Sequence, residues 1–452
     1  MRPYTTSRCR CSRERFPTSY RTAWSKFPSR KRYRRRIPRM SLDRGRLLQW
    51  FREGRARSRE IFAIPKPETY YERPIPLRNP IVFYEGHLPA FVVNTLIKLS
   101  LKQPGVDVGY EVLFERGIDP ENIDAANPSS SQWPSRRCVQ EYGAKADALI
   151  EHALREEAIE DDGGEAATAI LEHEQMHQET LLYMFHEMPY EKKNARKPLC
   201  PSSPLGTRHS ALGTVKIPAG IATVGNDGGF GWDNEFPAHR VEVPAFEIDR
   251  YNVTNGQYLD YMRATGAAPP HFWAKRDGNW FWRGMFELTP LPLDAPVYAM
   301  HDEAAAFAEW CGKQVPSEAQ YHRAAFGTPS GEERLYPWGN EPPDATRGNF
   351  DFANWDPVPV GSYPAGASAW GIHDLVGNGW EWTSTRFAGF KGFRPMVSYP
   401  NYSIDFFDGQ HYVLKGASPA TARDLVRRSF RNWFRPNYPF VYASFRCASC
   451  IA

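Results

Sequence analysis

The sequence predicts an α+β protein in which a small four-helix bundle precedes a loop-rich domain. Two observations lead to this division. Apolar residues recur at helical spacing between residues 41 and 195. From residue 213 onward, Gly, Pro, Asn and Trp are frequent and long helical patterns are rare. At 452 residues the chain is also too long for one ordinary core, so two domains are expected.

Four apolar-periodic segments make up the predicted bundle. They run from Leu47 to Phe51, from Phe91 to Leu101, from Val139 to Leu154 and from Ala166 to Met188. Prolines and a Gly-Gly pair separate them, as expected for helix ends. Loops of modest length between four such helices are typical of a bundle.

The second domain, residues 213–452, gives weaker periodic signals. Residues 215–224 and 240–248 predict short strands, and residues 301–325 predict one helix. A polar, Pro-rich linker is predicted for residues 196–212. The remaining backbone has few ladder partners, so buried aromatic side chains and side-chain hydrogen bonds must hold the loops.

Charge is distributed unevenly along the chain. Residues 1–39 contain 14 Lys or Arg and one acid, a net of +13, whereas the whole chain carries +4. The remainder therefore carries −9, which disfavours nucleic-acid binding outside this tail. We interpret residues 1–39 as a disordered basic tail, an organelle transit segment, or sequence upstream of a true start at Met40. No apolar run approaches the ~18 residues of a membrane span.

The seven cysteines are scattered. Cys447 and Cys450 have C-x-x-C spacing, but no second pair completes a zinc site. We expect the cysteines to be mostly reduced and buried, which favours the cytoplasm.

The sharpest local motif is the segment 172–179 (EHEQMHQE). His173 and His177 are four residues apart in a helical segment, so both imidazoles project from one face and can share a metal ion. They share a stripe with Ile170, Leu181 and Met184 that should face the bundle core. Glu179 lies about 200° round the helix from His177 and is better placed to brace a neighbouring element. Two satisfied core histidines remain the alternative interpretation.

A facial metal site needs a third ligand. His87 is our candidate, because it lies just before the second predicted helix and follows the apolar strip 81–83. His152 lies on a charged helix and His186 points away from the stripe, so both fit less well. Three imidazoles would leave open coordination positions for substrate and dioxygen.

These motifs resemble known families. His87, the His173/His177/Glu179 pattern and residues 73–87 (RPIPLRNPIVFYEGH) resemble the DinB-like bundle of non-heme iron sulfoxide synthases. The second half resembles the sulfatase-modifying-factor fold of formylglycine-generating enzymes, a C-type-lectin-like domain. In this order the two halves are similar to the hercynine oxygenase family. The segments that carry the second resemblance are residues 246–249 (FEID), 253–255 (VTN), 312–318 (GKQVPSE), 336–340 (YPWGN), 377–382 (GNGWEW) and 444–446 (SFR).

The resemblance implies an Fe(II)- and O2-dependent enzyme of ergothioneine biosynthesis. Such an enzyme joins a thiol sulfur, from γ-glutamylcysteine or cysteine, to the imidazole of hercynine (trimethylhistidine) and oxidises the product to a sulfoxide. The implied partners are these small molecules, with no membrane and no nucleic acid among them.

The resemblance also implies substrate-binding and catalytic residues. Asn432 and Trp433 match the stretch that lines the hercynine pocket, and Phe434 stands where an acid is expected to hold the donor amine. The tyrosine expected as proton donor has no exact match, and Tyr399 and Tyr402 are the closest hydroxyls. Met176 replaces a glutamine. Further candidates, as anchors for a substrate carboxylate, are Arg136 and Arg137.

Several alternatives stay open. A selenoneine or ovothiol-pathway synthase would use a different donor or acceptor, and a non-catalytic ligand-binding module would use the histidines structurally. Formylglycine-generating activity is disfavoured, because residues 415–430 contain no cysteine.

Overall fold

The computed structural model describes residues 42–115, 133–194 and 213–451. The predicted tail, residues 1–39, and the predicted linker, residues 196–212, lie outside these ranges. Within the described ranges, no helix is both long enough and apolar enough to cross a bilayer.

Five α-helices form the first half of the described chain. Asp43 caps α1 by accepting from the backbone N–H of Arg46, and Ser135 caps α4. Helix α2 continues directly into a π-helical segment, Val93–Ser100. Helices α1, α2, α4 and α5 pack against one another as the predicted bundle. The five helices are α1 (Arg44–Ile61), α2 (Ile81–Val92), α3 (Val108–Leu113), α4 (Arg136–Glu156) and α5 (Glu165–His186).

The position of the second helix corrects the sequence prediction. Helix α2 begins at Ile81, ten residues before the predicted start at Phe91, so His87 lies inside the helix and not before it. Pro89 also lies inside α2. The helix tolerates it because Pro lacks only one donor, and the following turns widen into the π-helical segment.

The second half is mixed, with short strands and three helices. A four-stranded sheet has the order β10-β9-β8-β11, in which β11 runs parallel to β8. A three-stranded sheet has the order β1-β4-β12, so the last strand of the chain pairs with β4, near the start of this half. The strands are β1 (Thr214–Ile217), β2 (Gly220–Val224), β3 (His239–Val243), β4 (Phe246–Asp249), β5 (Trp273–Arg276), β6 (Asn279–Arg283), β7 (Leu288–Pro290), β8 (Gly379–Arg386), β9 (Tyr412–Ala417), β10 (Asn432–Phe434), β11 (Ala443–Ser444) and β12 (Ala448–Cys450).

Three predictions for the second half were too coarse. The segments 215–224 and 240–248 each form two strands. The helix predicted over residues 301–325 is two helices, α7 (His301–Trp310) and α8 (Glu318–Phe326), because Gly312 adopts a positive φ and Ser317 caps a new helix. Helix α6 (Asn255–Thr265), capped by Thr254, was not predicted.

The cysteine prediction is half correct. The four cysteines in the described ranges are free thiols, as expected. Only Cys447 among them is buried, however, while Cys138 is half-buried and Cys311 and Cys450 are exposed. Cys447 and Cys450 form no disulfide with each other.

The helices and the second half share one core. The described residues, 42–115, 133–194 and 213–451, belong to a single compact unit. One continuous apolar cluster includes Tyr84 of α2, Leu181 of α5, and Trp232, Trp380 and Phe430 of the second half. Helix α5 therefore lies between the other helices and the second half, and 17 of its 22 residues are buried.

Candidate metal centre

Three imidazoles from two helices converge in the described part of the chain. His87 projects from α2, and His173 and His177 project from successive turns of α5. One ring nitrogen of each residue lies within 4.8 Å of the others. The ring centroids of His173 and His177 are 4.5 Å apart, and His87 lies 5.2 Å and 4.9 Å from them. The geometry therefore allows one ion to contact all three.

The orientation of His87 is set by a backbone carbonyl. Its Nδ1 lies 2.8 Å from the carbonyl oxygen of Phe114, so Nδ1–H donates and Nε2 keeps its lone pair. Gly86 makes this approach possible, because a Cβ at that position would lie 2.5 Å from the Phe114 ring. Phe83 stacks on the His87 ring at 5.1 Å.

Aromatic rings also pack against the two α5 histidines. Phe91 stacks on His173 with ring centroids 3.4 Å apart, and Tyr84 lies 5.7 Å from His177. The Nδ1 atoms of His173 and His177 are buried and have no hydrogen-bond partner in the described ranges. Buried polar atoms without partners are costly, which favours a metal ligand role over the alternative of satisfied core histidines.

Burial keeps the three imidazoles neutral. It lowers the pKa of His87 to about 4, and it lowers the pKa of His173 and of His177 well below the ordinary value of 6.5. The neighbouring imidazoles add to the effect on His173 and His177. Neutral imidazoles offer the lone pairs that metal ions require.

A polar stripe on the opposite face of α5 docks on the second half. Glu179 is 6% exposed and accepts hydrogen bonds from Trp380 Nε1 (2.6 Å), Ser418 Oγ (2.6 Å) and Thr421 Oγ1 (2.8 Å). The prediction that Glu179 braces a neighbouring element is confirmed. Burial raises the pKa of its carboxyl group, while the three donors oppose the rise.

Other residues of the stripe have partners of their own. Gln175 donates to Asp424 at 2.8 Å. His186 lies between the Tyr442 hydroxyl (3.0 Å) and the carbonyl of Arg283 (2.6 Å). Its ring nitrogens are therefore not directed toward His87, His173 and His177, which we call the triad.

Glu172 joins a buried ion cluster on the same face. Arg427 contacts Glu172 at 2.7 Å and Glu235 at 2.5 Å, and Trp232 Nε1 donates to Glu172 at 2.9 Å. Burial raises the pKa of Glu172 to about 7, although Arg427 opposes this. For Glu235, Arg427 and Ser429 outweigh burial and hold the pKa below its ordinary value.

A third face of α5 packs on α1. Glu174 accepts from Ser58 Oγ at 2.6 Å and pairs with Arg55 at 3.1 Å. Gln178 donates to the carbonyl of Gly54 at 2.9 Å. The polar side chains of α5 next to the histidines are thus fixed on two faces, one toward the second half and one toward α1, and this holds the helix in register.

One edge of α5 remains accessible beside the histidines. Between Ala169 and His186, only Met176, His177 and Thr180 are half-buried, and the other residues are buried. Two half-buried residues of the second half, Tyr399 and Tyr402, contact this edge at His173 and Met176, and the half-buried Trp433 contacts Tyr402. We call these six half-buried residues the cleft.

The two candidate tyrosines lie in the cleft. The Tyr399 ring is 6.3 Å from the His173 ring and 5.3 Å from Phe91. The Tyr402 hydroxyl lies 3.3 Å from Met176 Sδ, and its ring stacks on Trp232 at 4.1 Å. Burial raises the pKa of Tyr402 well above 10, so its hydroxyl stays protonated at neutral pH.

The residues of β10 border the same cleft. Trp433 stacks on Phe387 at 4.2 Å and lies 5.3 Å from Tyr402. Asn432 accepts from the Trp433 backbone N–H through Oδ1. Phe434 stacks on Tyr438 at 5.1 Å, farther along the strand.

Comparison with known proteins identifies the family. The model of the sulfatase-modifying factor enzyme 1-like domain matches residues 202–451, more than half of the chain. Hercynine oxygenase of Mycobacterium tuberculosis is 34% identical over 401 residues, which cover 82% of this chain and 91% of that protein. The chain belongs to the hercynine oxygenase family. It is therefore an oxygenase, with a sulfatase-modifying-factor domain as its second half.

Two further relatives of the hercynine oxygenase family extend the comparison. Hercynine oxygenase of Mycolicibacterium thermoresistibile is 32% identical over 400 residues, covering 82% of this chain and 88% of that protein. Ergothioneine biosynthesis protein 1 of Neurospora crassa is 29% identical over 483 residues, covering 84% of this chain and 55% of that longer protein.

The two arginines predicted to bind a substrate carboxylate, Arg136 and Arg137, have partners other than the three histidines. Arg136 contacts Glu85 (3.1 Å) and the carbonyl of Phe62 (2.9 Å) and stacks over Tyr70. Arg137 has a side chain that is 71% exposed and pairs with Glu141 one turn later. The structure thus engages Arg136 within the helices and leaves Arg137 in water, and a substrate role for either remains a prediction.

The sequence interpretation missed several residues next to the site. Phe91 was assigned only to a helix, although it stacks on His173. Trp232 and Arg427 were not singled out, because they are remote in sequence from the histidines. Arg78 was also missed; it donates to the hydroxyls of Tyr183 (2.7 Å) and Tyr438 (3.1 Å) near Phe434.

Proposed function

We propose that this oxygenase forms a carbon–sulfur bond between hercynine and a thiol in ergothioneine biosynthesis, with Fe(II) held by His87, His173 and His177. Three imidazoles, two buried and one half-buried, each with one nitrogen within 4.8 Å of the others, carry this proposal. The names of the relatives, hercynine oxygenase and ergothioneine biosynthesis protein 1, support the substrate and the pathway.

The residues present fit a ferrous ion. Imidazole is a suitable ligand for Fe(II), and three of them leave coordination positions open. The unpartnered, buried Nδ1 atoms of His173 and His177 are hard to explain in a purely structural site. Phe83 and Phe91 limit water around the histidines. We infer that the first half is the DinB-like iron-binding bundle of this family.

The proposed reaction balances with one molecule of dioxygen. The imidazole C–H of hercynine and the S–H of the donor are lost, a C–S bond forms, one oxygen atom becomes the sulfoxide, and the other leaves as water. Bound Fe(II) would supply the activation of dioxygen and a position for the thiolate. Side chains of the protein would orient hercynine and accept or donate the proton that is lost from its imidazole ring.

The cleft provides the groups for those tasks. The aromatic face of Trp433 suits the trimethylammonium group of hercynine, since quaternary ammonium ions bind to indole rings. Asn432, which precedes Trp433 in β10, is our candidate for an amide contact to the hercynine carboxylate. Tyr399 and Tyr402 place two phenol groups on the side of the cleft that faces His173 and Met176. We propose that one of them donates or holds the proton during the reaction.

We propose that position 434, next to Trp433 in β10, helps to select the donor. Phe434 has no charge to pair with an amine, so the amine contact expected from the resemblance is absent at this position. Free cysteine, γ-glutamylcysteine and a selenium donor are therefore all included as test substrates. Arg136 and Arg137 remain candidates for a donor carboxylate, which requires Arg136 to leave Glu85.

Equilibrium dialysis against Fe(II) under anaerobic conditions tests the metal assignment. We expect one Fe(II) per wild-type chain and none in His87→Ala, His173→Ala or His177→Ala. His152→Ala is the matched control, because that side chain is 61% exposed and lies outside the triad. Full iron occupancy in His173→Ala would refute the assignment.

A further inference from the structure

Arg427 holds together a buried cluster that touches the residue before His173. It donates to Glu172 from Nη1 (2.7 Å) and Nη2 (3.0 Å), and to Glu235 from Nε (2.8 Å) and Nη2 (2.5 Å). Glu172 is 3% exposed and Glu235 is 1% exposed. One guanidinium thus bridges helix α5 and the loop that contains Glu235.

The cluster fixes Trp232 at two points. Glu172 accepts from the indole Nε1–H at 2.9 Å, and Glu235 accepts from the Trp232 backbone N–H at 2.9 Å. Ser429 donates to Glu235 at 2.6 Å. Because both carboxylates also bind Arg427, the position of the indole ring depends on the guanidinium.

Trp232 in turn supports a cleft residue. The Tyr402 ring stacks on the indole with centroids 4.1 Å apart and an interplanar angle of 29°. The Tyr402 hydroxyl reaches Met176, the residue before His177. A chain of side-chain contacts therefore runs from Glu172, beside His173, through Trp232 and Tyr402 to Met176, beside His177.

We propose that Arg427 is a positioning residue that sets the orientation of His173 and of Tyr402 relative to each other. This inference rests on the proposed function, because it assumes that the triad binds the metal. Two carboxylates share one guanidinium in this cluster. Without Arg427 they would face each other in a buried site and either repel or take up protons, and α5 would lose its register against Trp232.

The chain offers a closely matched control in the next residue. The side chains of Arg427 and Arg428 are each 19% exposed. Arg428 pairs with Glu333 at 3.0 Å and donates to the carbonyl of Thr223 at 2.8 Å, both within the second half. Loss of either arginine removes a half-buried guanidinium and its ion pairing, but of the two only Arg427 contacts α5.

The experiment compares Arg427→Gln, Arg427→Lys and Arg428→Gln in the full-length protein. Co(II) serves as the probe, because its absorption bands report on coordination geometry while its titration gives the Kd. Thermal unfolding of each variant is recorded as well. Arg427→Lys keeps the positive charge but not the planar fork, so it tests positioning in a variant that tolerates folding better.

We expect Arg427→Gln to weaken Co(II) binding about 10-fold and to change the shape of the Co(II) bands, with Arg427→Lys between it and the wild type. Arg428→Gln should lower the unfolding temperature while leaving the Kd and the bands unchanged. With Fe(II) and hercynine, Arg427→Lys should lower kcat more than it raises the KM for hercynine.

Two outcomes would overturn the inference. If the wild type binds Co(II), but the Arg427 variants show the same Kd and the same bands as Arg428→Gln, the cluster is only structural and the metal assignment stands. If the wild type binds no Co(II), the proposed function fails and the inference fails with it.

Discussion

The buried carboxylate of Glu179 makes a quantitative prediction about how α5 is held. Glu179→Ala would leave three buried donors, on Trp380, Ser418 and Thr421, without an acceptor. Each buried donor without a partner costs about 1–3 kcal/mol. Part of the loss is recovered because a carboxylate no longer has to be buried. We therefore expect Glu179→Ala to lower the free energy of unfolding by about 3–5 kcal/mol.

Glu179→Gln separates the hydrogen bonds from the charge. The amide oxygen can still accept from Trp380 and Ser418, which both contact the same carboxylate oxygen, Oε1. Only the contact with Thr421 must reverse or break. The expected loss is therefore about 1 kcal/mol.

Urea unfolding followed by tryptophan fluorescence, on metal-free protein at pH 7, measures both variants. Gln175→Ala is the control, since it removes one hydrogen bond from the same stripe. Equal losses below about 1 kcal/mol in Glu179→Ala and Glu179→Gln would refute the view that this carboxylate fastens α5 to the second half.

Three further predictions follow from individual contacts. Phe434→Asp should shift the donor preference toward γ-glutamylcysteine, whose glutamyl amine the expected acid would hold, measured as the ratio of kcat/KM for γ-glutamylcysteine and cysteine; an unchanged ratio would remove this position from the donor pocket. Burial raises the pKa of Asp233 to about 6, so the folded protein retains a proton that the unfolded chain releases as pH rises above about 4. The free energy of unfolding should therefore fall by about 2–3 kcal/mol between pH 4 and 6 because of this group. Asp233→Asn should reduce this pH dependence, as measured by urea unfolding at several pH values. Equal pH dependence in the wild type and the variant would contradict the prediction. Gly86→Ala would place a Cβ 2.5 Å from the Phe114 ring, so it should destabilise the protein by about 1–3 kcal/mol in urea unfolding. It should also weaken Fe(II) binding through His87, as measured by equilibrium dialysis. An Fe(II) affinity equal to that of the wild type would show that Phe114 does not orient His87.

Local periodicity was enough to predict the face that His173 and His177 share and the opposite direction of Glu179. Both predictions depend only on the regular geometry of one helix, which tertiary contacts do not alter. The division into a helical half and a loop-rich half was likewise visible in the composition.

Features that depend on contacts between residues far apart in the sequence could not be predicted from local periodicity. Arg427 lies 255 residues from Glu172, and neither residue carries a local signal of the pairing. His87 was placed before its helix because the apolar period was followed only from Phe91, whereas α2 is buried on all sides and continues through Pro89. Helix α6 did carry a capping signal, Thr254 with Gln257, but its surroundings read as loop.

Oxygen uptake by the Fe(II)-loaded protein tests the central claim most directly. Hercynine would be supplied with cysteine, γ-glutamylcysteine or a selenosugar, one donor at a time, with free histidine as an alternative acceptor. We predict hercynine-dependent uptake of one O2 per product with one of these donors, and a product whose mass equals hercynine plus the donor plus one oxygen atom minus two hydrogen atoms. Iron bound by the three histidines without uptake under any combination would contradict the proposed reaction.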